Sequence, residues 1–499
     1  MRSRFLRPTA LALLVAALAS LALPGMALAQ ADVLETVEAK AAELDMVWVA
    51  IATVLVFLMQ AGFMFLEIGF SRQKNAGTGV AKVFVNLAMI TIAWWAIGYG
   101  INGPGNDILG TDGFFFHFGQ AIGSGADAFT VGSPDAMMML FGLAFAAVSL
   151  AIVWGTTLER IKFGAYVVYA FVFGALIYPL IAHAVWGGGL LADVGGKPVM
   201  DFAGSSVVHL TGAVGGLAAL LLLGARKGKY GPDGKPRVIP GHSMPLVGLG
   251  VIVLWIGWFG FNGGSTFESS GAFFGEVMLN TQLAAAAGVL GASLIVYMKT
   301  RSLDVGMAGN GAIAGLVGIT APAGFVEFWA APVIGFLAGV LVVYGVLIIE
   351  RYLDDPVGAL SAHGLAGIWG TLAVGIFGSE RLILSGDGAA PGVWYAVFGD
   401  ATFSASLGQL AVQGAAVALT FVVVFVLSYV TFALIKATIG LRVTDDEEEA
   451  GLDISSHGMY GYPEQFIPQP EYSTGMPGAG GIPAPAAAVK AMTASTESR

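Results

Sequence analysis

Apolar segments of about 20 residues recur eleven times along this chain, each set off from the next by polar or charged punctuation. At about 1.5 Å of rise per residue, such a segment reaches across a hydrocarbon core of about 30 Å. Within lipid a helix satisfies all of its own backbone N–H and C=O groups. The segments lie near 46–70, 78–101, 134–158, 163–185, 203–224, 243–262, 276–298, 306–324, 328–349, 358–378 and 407–435. Composition agrees: 11% of the 499 residues are charged, against about 25% in a soluble domain. The 72 glycines suit helices that pack closely inside a bilayer. The absence of cysteine excludes disulfides, thiolate metal sites and cysteine nucleophiles. A net charge of −10 argues against nucleic acid as a partner. The chain therefore reads as an all-α polytopic membrane protein.

Its two ends read differently. Arg2, Arg4 and Arg7 precede an apolar run from Leu11 to Leu23, and Ala27-Leu28-Ala29 has the small-x-small form of a cleavage site. Residues 1–29 therefore read as a bacterial secretory signal peptide, the apolar run being short for a span; the alternative is an uncleaved first anchor. Cleavage leaves 30–45 as a short periplasmic N-terminus before the 46–435 membrane domain. Charge tests this direction. With the N-terminus outside, the inside loops hold Arg72, Lys74, Arg160, Lys162, Arg226, Lys227, Lys229, Lys235, Arg237, Lys299, Arg301 and Arg351. The outside loops hold only Lys197 and Arg381, a bias that fits eleven spans running N-out, C-in through an inner membrane. Lys436 and Arg442 follow on the inner side in a 436–462 segment that includes the acidic run 445–449. The Pro-, Gly- and Ala-rich 463–499 reads as a disordered tail.

An ionisable residue inside a span is a functional-site hypothesis by default. His209 and His363 lie in the fifth and tenth segments, each eight residues after an aspartate, Asp201 or Asp355. Five helices per half is an odd number, so the halves form a five-plus-five inverted repeat with one extra C-terminal helix. Eight residues of helix measure about 12 Å, so both imidazoles fall near the midplane, approached from opposite faces. If the pseudo-twofold axis passes between the two helices, they meet. The alternatives are two independent core histidines, or a metal pair, for which no third ligand stands at suitable spacing. Asp201 at a helix start reads as structural, a cap that shapes the site. Glu67, near the inner end of the first segment, reads as a structural pairing residue.

Four stretches carry a family resemblance. They are Ala182-His183-Ala184-Val185-Trp186-Gly187-Gly188-Gly189, Asp201-Phe202-Ala203-Gly204-Ser205-Ser206-Val207-Val208-His209, the run from Trp255 to Ser265, and Leu360-Ser361-Ala362-His363-Gly364. From about Val47 to Tyr460 the chain resembles the ammonium transporter (Amt/MEP/Rh) family. The resemblance implies a homotrimer with one pore per protomer. It implies an outer recruitment site of Trp186, Phe145 and Ser265, and a gate of two stacked rings, Phe145 and Phe261. It further implies that His209 and His363 line the conducting path with Trp258. The segment 436–462 resembles a cytoplasmic tail that couples protomers and contributes to control by PII-type proteins. The third segment reads Phe141-Gly142-Leu143-Ala144-Phe145, and no role is assigned to Phe141.

These residue types suit the implied cargo. An aromatic face attracts a small cation by about 0.5–2 kcal/mol, and a serine hydroxyl accepts one of the four N–H bonds of ammonium. Taking a bare cation through low dielectric costs many kcal/mol. Two facing neutral imidazoles hand a proton between them, so ammonia can cross without its charge. Potassium has no proton to lose. The rival readings are a membrane enzyme, an ammonium sensor and a neutral ammonia gas channel. The sequence has no Walker A loop, H-E-x-x-H or G-x-S-x-G elbow to support catalysis, no cofactor motif, and no visible appended signalling domain.

Overall fold

The computed structural model describes residues 8–116, 134–383 and 388–463, with side chains from Val37 onward apart from Pro134. The leader expected over 1–29 and the tail over 463–499 lie outside the residues with described side chains, Pro463 excepted. Among the described residues, ten helices are long and apolar enough to cross a membrane. They are Val37–Phe70, Gln73–Asn102, Asp135–Thr156, Phe163–Trp186, Ser205–Leu223, Met244–Gly264, Ser270–Thr300, Ala330–Ile349, Leu360–Phe377 and Phe403–Thr438. A shorter apolar helix, Val305–Thr320, stands eighth in chain order. The described residues contain no strand. We number these eleven helices as spans one to eleven.

The eighth span stops short of the expected 306–324. Pro322 lacks the N–H a continuing helix needs. The freed carbonyls of Thr320 and Ala321 are instead taken by the N–H groups of Ala203 and Phe202, at 3.1 and 3.0 Å. Every residue of this helix from Asn310 to Thr320 is buried against protein, so it does not have to match the thickness of the lipid. Spans seven, eight and nine approach so closely that a Cβ placed on Gly335 would stand 2.0 Å from the Ala284 carbonyl oxygen. Here the abundant glycine is a packing requirement. The third and fifth spans are 72% and 83% buried, against 28% for the eleventh, so the first two form the interior of the bundle.

The fifth and tenth spans open on the same device. Each begins with a π-turn, Ser205–Leu210 and Leu360–Leu365, and each π-turn contains its span's histidine. An aspartate carboxylate precedes each and accepts backbone N–H from the first turn. This correspondence is what the repeat read from the two Asp–His spacings requires.

Opposite the Trp186 end, the bundle closes on charge. Arg226 grips Asp354 with Nε and Nη2, both at 2.9 Å, and its own N–H adds a third bond at 2.8 Å. Glu159 takes Arg72 at 2.7 Å and Arg226 at 3.4 Å. The segment after the last span folds back onto this end. Thr444 and Glu447 form a capping box, and Glu448 bridges Arg442 at 2.6 Å and the Lys227 N–H at 2.7 Å. Asp453 accepts the N–H groups of Gly77 and Thr78 at 2.9 and 2.8 Å, capping the second span from 375 residues away. Asp453→Ala is expected to cost about 1–2 kcal/mol, as losing a helix cap does. Limited proteolysis should show faster cleavage within 445–463; an unchanged cleavage rate would refute the cap's role.

Candidate functional site

The site begins with Asp201. Its two carboxylate oxygens accept four backbone N–H groups, those of Gly204 (2.8 Å), Ser205 (2.9 Å), Ser206 (2.8 Å) and Val207 (3.1 Å). An ordinary cap satisfies one or two. Four are needed because the chain turns through Gly204 at φ +111° straight into a π-turn. The Asp201 carbonyl also accepts the Trp186 indole N–H at 2.8 Å. One residue therefore orients both the tryptophan at the mouth and the turn that carries His209.

A vestibule of about 500 Å³ opens beside Trp186, with Phe141, Phe145, Ser265 and Phe267 among its walls. Trp186 is 40% exposed there and stands edge-on to Phe145 with ring centroids 6.2 Å apart. The Ser265 hydroxyl donates to the Phe261 carbonyl at 2.9 Å, which leaves its oxygen lone pairs available to a donor. Below Trp186, Phe145 and Phe261 are buried and stacked at 4.0 Å and 14°.

The rings continue inward. Phe261 lies 5.5 Å from His209, and Trp258 stacks on His209 at 5.0 Å and 18°. Trp258 is fixed by its indole N–H, which donates to the Thr320 hydroxyl at 2.9 Å. His209 and His363 meet through their Nδ1 atoms, 3.3 Å apart. One of the two must supply the N–H and the other the lone pair, so the pair holds a single shared hydrogen in its neutral form. The Nε2 of His209 has no hydrogen-bond partner in the structure. Beyond His363 lies a cavity of about 20 Å³ that Glu67 and Asn310 help line. A second vestibule of about 370 Å³ follows, reached past Asn310 and Val357 and bordered by Asp304, Asp355 and Ser361.

Of the eight site residues expected from the sequence, seven fall on one line, from Trp186 and Ser265 through Phe145 and Phe261 to Trp258, His209 and His363, and Asp201 stands behind them. Phe141 was passed over. Its ring packs on Phe145 at 4.6 Å and on Phe267 at 5.4 Å, adding two aromatic walls to the vestibule. The four-residue spacing of Phe141 and Phe145 on one helix face was the available signal. Phe267 and Thr320 carried none.

Chemically, the line offers a half-open aromatic cage, a buried ring stack, and two imidazoles within hydrogen-bond reach. The family model described as Ammonium Transporter Family matches residues 47–462. The chain is 40% identical over 449 residues to the ammonium transporter Amt2 of Archaeoglobus fulgidus, covering 88% of this chain and 92% of that one. It is 33% identical over 425 residues to the ammonium transporter of Bacillus subtilis, covering 85% and 99%. Among solved structures, a protein titled Sensor Amt Protein superposes with a TM-score of 0.75 at 32% identity, covering 84% of this chain and all of that one. Candida albicans Mep2 superposes with a TM-score of 0.69 at 29% identity, covering 81% and 87%. The chain belongs to the ammonium transporter family.

Proposed function

We propose that this protein recruits ammonium at Trp186, Phe145 and Ser265, removes its proton, and passes ammonia through the Phe145–Phe261 stack and along a pore lined by Trp258. The proton travels separately across His209 and His363. The Trp186 end faces out and the Arg226 end faces the cytoplasm, in keeping with the Lys and Arg bias of the loops. The membrane is the bacterial inner membrane, entered behind the leader at 1–29. The observation that carries this reading is the imidazole pair at 3.3 Å, beneath stacked rings and between two vestibules. A dry, ring-walled passage favours a neutral molecule over an ion by many kcal/mol. The paired imidazoles supply a route for the proton left behind.

Family membership extends the proposal to a homotrimer and to PII-type control at 436–462. The docking of Glu448 and Asp453 onto the Arg226 end supports the second point, since it places that segment where it can sense or alter the inner vestibule's surroundings. A sensor role is the second reading, favoured by the likeness to the structure titled Sensor Amt Protein.

The test is charge movement in proteoliposomes after an ammonium pulse, with potassium as the control. The parent is expected to give a transient current with ammonium and none with potassium. His363→Ala should reduce that current at least tenfold, and Trp186→Leu should shift it to higher ammonium concentration. Unchanged currents in both variants would overturn the assignment. Rapid internal alkalinisation without current would make the protein a neutral ammonia channel, and neither response would leave the sensor reading.

A further inference from the structure

Glu67 sits on the first span, inside the membrane, 2% exposed. It lines the cavity of about 20 Å³ that also contacts His363, Asn310 and Gly155. That space is about enough for one water-sized molecule. Glu67 Oε2 has no hydrogen-bond partner, and neither has Nζ of Lys82 on the second span, itself 1% exposed. Lys82 acts on Glu67 through its charge, yet the two make no direct hydrogen bond. A pair kept only for structure would be expected in contact, because a carboxylate in the membrane interior is costly unless it is closely compensated. The carboxylate is instead left with a free oxygen beside a cavity of one-molecule size. Gly155 keeps the space open: a Cβ there would stand 3.8 Å from Glu67 Oε1 and 2.8 Å from Val357 Cγ2.

We propose that Glu67 is the proton station below the histidine pair, where ammonia becomes ammonium again. The proposal rests on the relay reading above. His363 as an imidazolium releases its proton and returns to imidazole; the Glu67 carboxylate becomes a carboxylic acid. The acid then gives the proton to ammonia in the cavity, and carboxylate and ammonium result. Ammonium leaves towards the second vestibule, where Asp355 Oδ1 and Ser361 Oγ are also without hydrogen-bond partners. Lys82 of the second span stands as the charged partner of Glu67 without a hydrogen bond to it. The other groups near this pair are Tyr166 of the fourth span, whose ring lies 5.7 Å from Lys82 Nζ, and Glu159 and Arg160 at the end of the third.

The test uses the full chain in proteoliposomes and reads two quantities in the same preparation: ammonium-elicited charge movement and internal alkalinisation by ammonia. Glu67→Gln leaves Lys82 as a lone buried charge, so the double variant Glu67→Gln, Lys82→Gln is measured beside it. Ammonia permeation within twofold of the parent, with charge movement down at least tenfold in the double variant, supports the proposal. Glu67→Asp should restore part of the current. Parent-like charge movement in the double variant overturns it, and so does parallel loss of both quantities, which would mark the pair as structural. The two readings fail separately. If His363→Ala loses current while the double variant keeps it, only the Glu67 station falls; a parent with no current defeats the relay and the station together.

Discussion

Asp201→Ala is expected to reduce ammonium uptake at least tenfold and to lower the thermal stability of the detergent-solubilised protein. The substitution removes both acceptors from four buried N–H groups, those of residues 204–207. A buried donor left without a partner costs about 1–3 kcal/mol, so the turn must relax rather than keep all four. Relaxation moves His209 off His363, and it frees the carbonyl that holds Trp186. Asp201→Asn keeps one oxygen, enough for two of the four bonds, and should fall between alanine and the parent. Uptake at the parent rate in the alanine variant would show that the turn holds itself. A variant with normal melting but no uptake would place Asp201 in contact with the cargo instead.

The second large effect lies at the other end. Arg226→Met leaves Asp354 and Glu159 buried without their shared partner, at a cost of about 3–5 kcal/mol. The double variant Arg226→Met, Asp354→Leu should recover part of that loss, because two apolar side chains replace the pair. Acid should mimic the single variant. Burial pushes the Asp354 carboxyl up, but the hydrogen bonds of Arg226 and the charges of Arg160 and Arg226 outweigh it and hold the group at about 2. A carboxyl whose value falls on folding stabilises the fold at pH above its unfolded value of about 3.9, to the extent of about 2 kcal/mol here. That contribution fades as pH drops from about 4 through about 2. Melting curves between pH 6 and 3 should show the parent losing stability towards the acid side and the double variant losing less. Equal pH dependence in both would assign the acid sensitivity to other carboxylates.

The sequence made some of this legible and hid the rest for definite reasons. The eleven spans were readable because bilayer thickness fixes segment length, and His209 and His363 because matched Asp–His spacings put them at matched depth. That they meet, through Nδ1, is seen only in the structure, since the repeat brings them together only if its axis passes between the two helices. The π-turns around both histidines left no mark, since a π-turn needs no particular residue type. Arg226 and Asp354 are 128 positions apart with no periodicity to link them, and each reads alone as an ordinary loop charge. Glu67 was visible, but its significance depends on what it does not touch. The shortened eighth span was hidden because its end is completed by the Phe202 and Ala203 N–H groups, which belong to the turn leading into the fifth span.

The ring stack has an electrical consequence. The vestibules of about 500 and 370 Å³ lie at the two ends of the line, and between them lie Phe145, Phe261, Trp258 and the two imidazoles. With water filling both vestibules, most of a membrane voltage would drop across this thin layer rather than evenly across the bilayer. An elementary charge crossing the full potential exchanges about 2.3 kcal/mol per 100 mV. Under the proposed relay, a proton handed from one imidazole to the other would travel only a short distance, yet cross a large fraction of that drop. In the proposed orientation, an inside-negative potential would then act as a pull applied at one hydrogen bond.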